Sequence, residues 1–600
     1  MLQSATDFAD TTRRRVPRLR GWYALVILAL APLWLLGMFD RGLWTPDEPR
    51  EADIAWRMSE QSERAIPHLG VTPFLEKPPL TYWLSAASAS AFGDSPATMR
   101  VPNLLYALIV AAAMSVLAAM MAGGRAACVA ALVAGSALLS YRVAIWLAPD
   151  AALLAGSAVA LAGAYAGYTS PAGARKFWGY ALMHAGAAFG FMAKSAPGWL
   201  VPALALLTLI VWERRWSELA RWELYAGALL QLALIGPWIA AVAHTAGGAE
   251  SLRIFFWDNV VGRFTAVAGA PGHDYTQGHS NWWGKYWVEL PVYLLPWTVL
   301  AVAALKHVWI EVRAQAGAEG PGAAAPWRFA VCAFLPFLGL LSLAATARDV
   351  YAAPSILGFA LLIALWSNSL GRNCSRFDQR CLRATRALVA IIACVLAGTL
   401  GILAAAERNS VISSADVAGA VVVLALTFGV LRFATTLART KKYFESIVAT
   451  YAAYALAFVV SGLLVLPVID RWQDLGALAR HIERDAAGAE LAVLNPDETT
   501  LAMLDHRLRL AFTALPAAPG DSARVVTDWL HRRGSQARIL VMLPGHAPGD
   551  VTRLINRWHP LAFPDGGVAS MLEDTGSARI VARYELPQGR RYALLAAAPR

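Results

Sequence analysis

Apolar runs of near-membrane length recur along almost the whole chain. No soluble fold can bury that many of them. Of 600 residues, 57% are hydrophobic and only 16% charged, against roughly a quarter charged in soluble domains. A helix needs about 20 apolar residues to cross a bilayer. Runs near that length lie at 22–39, 98–120, 126–141, 151–168, 178–193, 197–212, 222–244, 289–310, 328–346, 351–369, 387–406, 415–431 and 447–468. The expectation is a mostly α, polytopic membrane protein with about thirteen transmembrane helices. The segment 80–92, LTYWLSAASASAF, is apolar but short, which predicts a re-entrant or interfacial helix.

The net charge of +11 is not a nucleic-acid signal, because the basic residues sit in short loops between apolar runs. With the N-terminus in the cytoplasm, the cytosolic loops hold Arg175 and Lys176, Arg214, Arg215 and Arg221, five arginines between 370 and 386, and Arg432, Arg439, Lys441 and Lys442. The opposite loops hold mostly single bases: Arg142, Lys194, Arg348 and Arg408. That bias follows the positive-inside rule. An odd number of spans then puts the tail outside. Four chemically rich segments fall on the same outer side: 40–97, 148–150, 245–288 and 346–351.

The chain reads as a membrane domain over 1–469, with outer loops 40–97 and 245–288, followed by a small α/β domain over 470–600. In the tail, Arg471 to Asp485 reads as an amphipathic helix, Glu490–Leu494 and Ala537–Leu543 as buried strands, and Asn495-Pro-Asp-Glu as a turn entering a helix. It carries no glycine-rich phosphate loop and no metal-ligand spacing. The five cysteines all precede it and read as reduced thiols rather than a zinc site.

The candidate chemistry lies in two clusters of charge and proline, Trp44-Thr-Pro-Asp47-Glu48-Pro-Arg50-Glu51 and Glu76-Lys77-Pro78-Pro79. Prolines fix the backbone on both sides, and ionisable groups held at a membrane face are candidates for function. Asp47 is either a helix cap or a carboxylate facing an outer cavity. The stretch Glu51 to Arg64 reads as an amphipathic helix on the membrane surface. Lys77 suits a phosphate oxygen or snorkels to the interface. Asp150 opens a span, as a cap or as a second inward carboxylate. Lys194 interrupts an apolar run and demands a carboxylate or an anionic ligand. The loop 255–297 mixes aromatics with Asn259, Arg263, His273, His279 and Lys285, which can form an interfacial belt or walls for a sugar. Its glycine-rich part, Gly262 to Gly278, is expected to be mobile.

These segments together resemble the bacterial aminoarabinose transferases, membrane glycosyltransferases of the C-type fold related to protein O-mannosyltransferases. The residues that carry the likeness are Trp44 to Arg50, Glu76 to Trp83 with Tyr82, Asp150, Ala193-Lys194-Ser-Ala-Pro197, Asn259 with Arg263, and Pro296-Trp297. The likeness implies transfer of 4-amino-4-deoxy-L-arabinose or a related sugar from undecaprenyl phosphate to lipid A phosphate. It places that reaction at the outer, periplasmic face of the bacterial inner membrane, with resistance to polymyxin and cationic peptides as the outcome and no nucleic-acid partner. It implies Asp47 and Asp150 as site carboxylates. Lys77, Arg263 and Tyr351 become candidates for the carrier phosphate, with Arg50, Lys194, Tyr82 and Arg348 as further substrate contacts. Glu76 either holds a divalent metal ion or orients Lys77. Arg348 departs from a lysine often found there in the family, which alters the donor geometry. A flippase for lipid-linked sugars and an O-mannosyltransferase acting on a hydroxyl are the alternatives.

Overall fold

The structure is a computed structural model that describes residues 19–61, 63–259, 281–314, 325–371, 374–406, 414–518, 520–543, 568–586 and 590–598. Among these, eight helices are long and apolar enough to cross a membrane. They number ten if the bent pairs Gly124–Ser136 with Leu138–Ile145 and Lys285–Tyr293 with Thr298–Val312 each count as one span. The bends are 63° and 115°. Ala24–Leu35 and Pro197–Glu213 are apolar but shorter, and Ala174–Lys194 is a 21-residue helix with basic residues at both ends. Every expected run coincides with a helix or a bent pair, so a count of thirteen depends on admitting these shorter or more polar helices. The segment 80–92 is helical over Leu80–Phe92.

The chain divides into two compact units. The first comprises 1–39, 75–81 and 100–465; the second comprises 40–74, 82–99 and 466–600. The outer-loop segments 40–74 and 82–99 therefore group with the tail rather than with the spans.

In the first unit, Asp150–Thr169 and Ala174–Lys194 form a tight antiparallel hairpin. Glycines permit the close approach. A Cβ on Gly163 would stand 2.2 Å from the Met183 backbone N, and one on Gly186 would stand 2.5 Å from the Ala160 backbone N. Small residues at such a seam let helix backbones touch, which drives association in lipid. The hairpin brings the first residue of one helix, Asp150, beside the last residue of the next, Lys194.

The second unit holds the hairpin β1 (His68–Leu69) and β2 (Thr72–Pro73) and a five-stranded sheet. Its strands are β3 (Glu490–Leu494), β4 (Phe512–Leu515), β5 (Ala537–Leu543), β6 (Ala578–Glu585) and β7 (Arg591–Ala597). The order is β4-β3-β5-β7-β6, with β4, β3 and β5 parallel and β7 antiparallel to both its neighbours. The centre strands β3 and β5 are buried on both faces, which is why they read as continuous apolar runs. Helix Leu475–Asp485 packs its apolar face on one side of the sheet, and Ser522–Arg533 covers the other through Val526, Trp529 and Leu530. Asn495-Pro-Asp-Glu does enter a helix, Glu498–Leu508, and the Asp497 carboxylate caps it by accepting from Thr500 N.

Candidate active site

Four stretches of the first unit converge around Lys194. Its ammonium pairs with Asp150 and lies 4.6 Å from the Tyr351 ring centre. Both side chains of the pair are about nine-tenths covered, at 11% and 8% exposed. Asp150 is no cap, since Pro149 precedes the helix and no side chain caps it. Two residues before Tyr351, Asp349 pairs with Arg142, whose guanidinium faces the Trp146 ring at 5.9 Å. The turn that carries them is tied from a third element: the Tyr286 hydroxyl donates to Arg348 O at 3.2 Å and Lys285 Nζ to Ala347 O at 3.3 Å. Asn281 Nδ2 donates to Ala344 O at 2.7 Å. Asn103 holds the turn before Asp150 by donating to Trp146 O at 2.7 Å.

Glu76 and Lys77 are both half-buried. The Asn259 amide anchors their turn by donating to Leu75 O at 2.5 Å. Arg263, His273, His279 and the glycine-rich tract lie outside the described residues. Among the described residues no three His, Cys, Asp or Glu side chains come together in a way that could hold a metal ion. Glu76 has no such companion ligands there. Trp297, for which the aromatics of 255–297 left an interfacial belt or a pocket wall open, is neither: it is fully buried, donates to Ser136 Oγ at 3.0 Å and stacks near Tyr451.

Asp47, Arg50 and Tyr82 belong to the second unit. Helix Asp47–Glu60 starts with two acids, which suit the positive end of the helix dipole. It is not a surface-lying helix. Residues 48–56 are all buried, Trp56 the most exposed at 9%. Its charges are instead matched inside the unit. Glu48 takes both Arg41 guanidinium nitrogens, at 2.5 and 2.9 Å, and the Trp44 backbone N at 2.8 Å. Arg50 donates to Asp47 at 3.2 Å, Glu51 at 2.9 Å and Glu498 at 2.6 Å. Asp47 is therefore an Arg50 partner rather than a cap; Pro46 precedes the helix and no side chain caps it. Tyr82 is buried against Ile54, Met58 and Ala86.

Sequence reading missed a carboxylate pair formed between this helix and Glu498–Leu508. Asp53 accepts from Gly70 N at 3.0 Å, and Arg57 reaches both Asp53 (3.7 Å) and Asp505 (Nε at 2.7 Å). Burial pushes the Asp53 carboxyl up to about 8, against the Gly70 N–H and with added pressure from Asp505 beside it. A carboxyl raised in the folded state binds a proton that the unfolded chain has already released. Stability therefore falls as pH rises from about 4 to about 8, and is flat outside that window. Asp53→Asn is expected to remove the slope. Unfolding temperatures at pH 5 and pH 8 measure it, and an equal slope in the variant would place the effect elsewhere.

The dolichyl-phosphate-mannose-protein mannosyltransferase family profile matches residues 76–240. The chain is 31% identical over 369 residues to an undecaprenyl phosphate-alpha-4-amino-4-deoxy-L-arabinose arabinosyl transferase of Pseudomonas aeruginosa, covering 57% of this chain and 59% of that one. It is 27% identical over 352 residues to the protein of that name from Edwardsiella ictaluri, covering 58% and 59%. The match thus spans about three fifths of these relatives' length. The crystal structure of ArnT from Cupriavidus metallidurans in the apo state superposes with a TM-score of 0.69 at 20% identity, over 97% of this chain and 99% of that one. The fold is that of ArnT. A second ArnT structure, bound to undecaprenyl phosphate, superposes at 0.68. The ArnT fold accounts for the multi-span helical body and the small terminal sheet domain together.

Proposed function

We propose that the chain is a glycosyltransferase that moves 4-amino-4-deoxy-L-arabinose from undecaprenyl phosphate to a lipid A phosphate, at the periplasmic face of the bacterial inner membrane. The observation that carries the reading is the convergence of Asp150, Lys194 and Tyr351 at one end of a membrane-spanning hairpin. The names of the Pseudomonas and Edwardsiella relatives support the choice of substrate.

In this reading the bond between the sugar's anomeric carbon and the donor phosphate oxygen breaks, and the lipid phosphate leaves with the electron pair. An acceptor phosphate oxygen attacks the same carbon. That oxygen is already anionic at neutral pH, so a general base is not needed. The leaving phosphate needs a cation placed where its charge develops, and Lys77 is the candidate. Lys194 is engaged with Asp150, so it is assigned to holding that carboxylate rather than the phosphate. The Asp150 carboxylate, turned by Lys194, is suited to the sugar's ammonium group. Asp47 and Arg50 are further candidates for substrate contact, and the periplasmic orientation rests on the loop charge bias.

Mass spectrometry of lipid A tests the reading in a host that lacks its own transferase. Expression is expected to add the aminosugar mass to lipid A phosphates and to raise polymyxin tolerance. Lys77→Ala is expected to cut transfer about a hundredfold or more by removing the phosphate's cation, with normal membrane insertion. Unmodified lipid A under full expression would overturn the reading. The mannosyltransferase profile match favours one second reading, a hydroxyl acceptor on protein, which altered glycoproteins with unaltered lipid A would support.

A further inference from the structure

Helices Ala174–Lys194, Pro197–Glu213 and Trp222–Ala243 line an open groove of about 280 Å³. Its wall is aliphatic: Met183, Ala187, Ala203, Leu206, Leu207 and Ile210, closed at one end by Leu219 and Leu224. From Trp199 to Ile210 it runs about 16 Å along one helix, at 1.5 Å per residue. Of the polar groups that line it, His184 is held at both ring nitrogens, whereas the buried Trp199 Nε1 has no hydrogen-bond partner among the described residues. The two His184 ring nitrogens meet Leu224 O at 2.7 Å and Gln231 Nε2 at 2.8 Å. No charged side chain lines it. The slot is long, narrow and apolar, the shape of an alkyl chain.

The rim decides which alkyl chain. The connection between the second and third helices, 213–223, carries three glutamates and three arginines. All three glutamates are turned inward. Glu213 accepts from the Tyr168 hydroxyl at 2.6 Å, Glu218 binds buried Lys176 at 2.7 Å and Arg215 at 2.7 Å, and Glu223 accepts from Gly173 N at 2.9 Å. Arg214 and Arg221 are left exposed. Trp216, Trp222 and Tyr225 stand out beside them, each more than half exposed. The folded rim is therefore cationic and aromatic although its sequence is charge-balanced. Arg221 lies between Leu219 and Leu224, the two residues that close the groove. Ala174–Lys194 is about 31 Å long at helical rise, and Lys176 at its start binds this rim. The Ile210, Leu219 and Leu224 end of the groove thus lies at the membrane face opposite the transfer site.

We propose that this groove binds one acyl chain of an anionic phospholipid from the leaflet opposite the transfer site, with its headgroup on Arg214 and Arg221. Two arginines at an anionic headgroup favour it over a zwitterionic one of equal chain length by about tenfold or more. Glutamates facing inward make that preference a property of the fold rather than of the loop's composition.

Native mass spectrometry of the intact, delipidated protein tests it, with phosphatidylglycerol and phosphatidylcholine of identical chains added back in turn. The expected result is one retained phosphatidylglycerol, about tenfold preferred. Arg214→Gln with Arg221→Gln is expected to level the preference. Lys441→Gln with Lys442→Gln, also exposed, is expected to keep it. Ala203→Phe fills the groove and is expected to lower retention of both lipids; it decides the matter even if the arginine variant fails to insert. Equal retention of the two lipids by the unaltered protein, an equal loss in the lysine variant, or full retention in Ala203→Phe would each overturn the proposal.

Discussion

Asp150→Asn is expected to lower sugar transfer by about 10²- to 10³-fold while leaving protein level and unfolding temperature near those of the parent. The size follows from removing one preorganised charge at a reacting centre. Stability falls less than on loss of the lysine, because asparagine keeps an oxygen for Lys194 and the ammonium, the more exposed of the two, still faces the Tyr351 ring. Lys194→Met is the sharper companion. It strips the counter-charge from a carboxylate only 8% exposed, and breaking a covered pair costs about 3–5 kcal/mol when one charge is left behind. Some water reaches this pair, so the lower end of that range applies. The double variant Asp150→Asn, Lys194→Met is expected to transfer no worse than Lys194→Met, because residues that act as a unit are not additive. Initial rates with purified enzyme and lipid-linked donor measure this. Near-parental transfer by Asp150→Asn would remove the pair from the reaction.

Arg41→Met is expected to destabilise the second unit more than any surface substitution could. Arg41 and Glu48 are each 0% exposed, and Arg41 also lies 4.3 Å from the Trp44 ring. Removing the arginine takes the counter-charge from a carboxylate in the dark, at about 3–5 kcal/mol. Replacing both partners, Arg41→Met with Glu48→Met, is expected to recover most of that loss, since hydrophobic replacement of a buried pair is often neutral. Limited proteolysis of the terminal sheet domain gives the readout. Cleavage should accelerate in the single variant and return toward the parental rate in the double. Equal protection in Arg41→Met would show that the pair is dispensable.

The spans were legible because a bilayer imposes one strong rule, length of apolar chain, and each expected run is a helix or bent pair. Strands β3 and β5 were legible for a similar reason, as continuous apolar runs buried on both faces. Lys194 could be read as needing a counter-charge, and the hairpin supplies Asp150 from 44 residues away. The charges of 41–57 were not legible. Their partners Glu498 and Asp505 are each 448 residues distant, and no local period encodes such a pairing. A helix whose charges find distant partners looks in sequence like a wet amphipathic one. Arg142 read as a stray loop base for the same reason, since its partner Asp349 is 207 residues on. The burial of Trp297 was hidden because tryptophan serves membrane belts, pocket walls and cores alike.

The second unit is assembled from three separated stretches, 40–74, 82–99 and 466–600, and this sets the timetable of its biogenesis. A ribosome delivers the first two stretches hundreds of residues before the third exists. Arg50 and Arg57 have their helix neighbours Asp47, Glu51 and Asp53 at once, but must wait for Glu498 and Asp505 while the intervening spans enter the bilayer. A protein stopped at residue 470 would lack Glu498 and Asp505 for these arginines and the Leu501 and Ala502 edge of the cluster around Ile54 and Met58, and so be a ready target for quality-control proteases. The last segment synthesised is thus the one that completes the earliest.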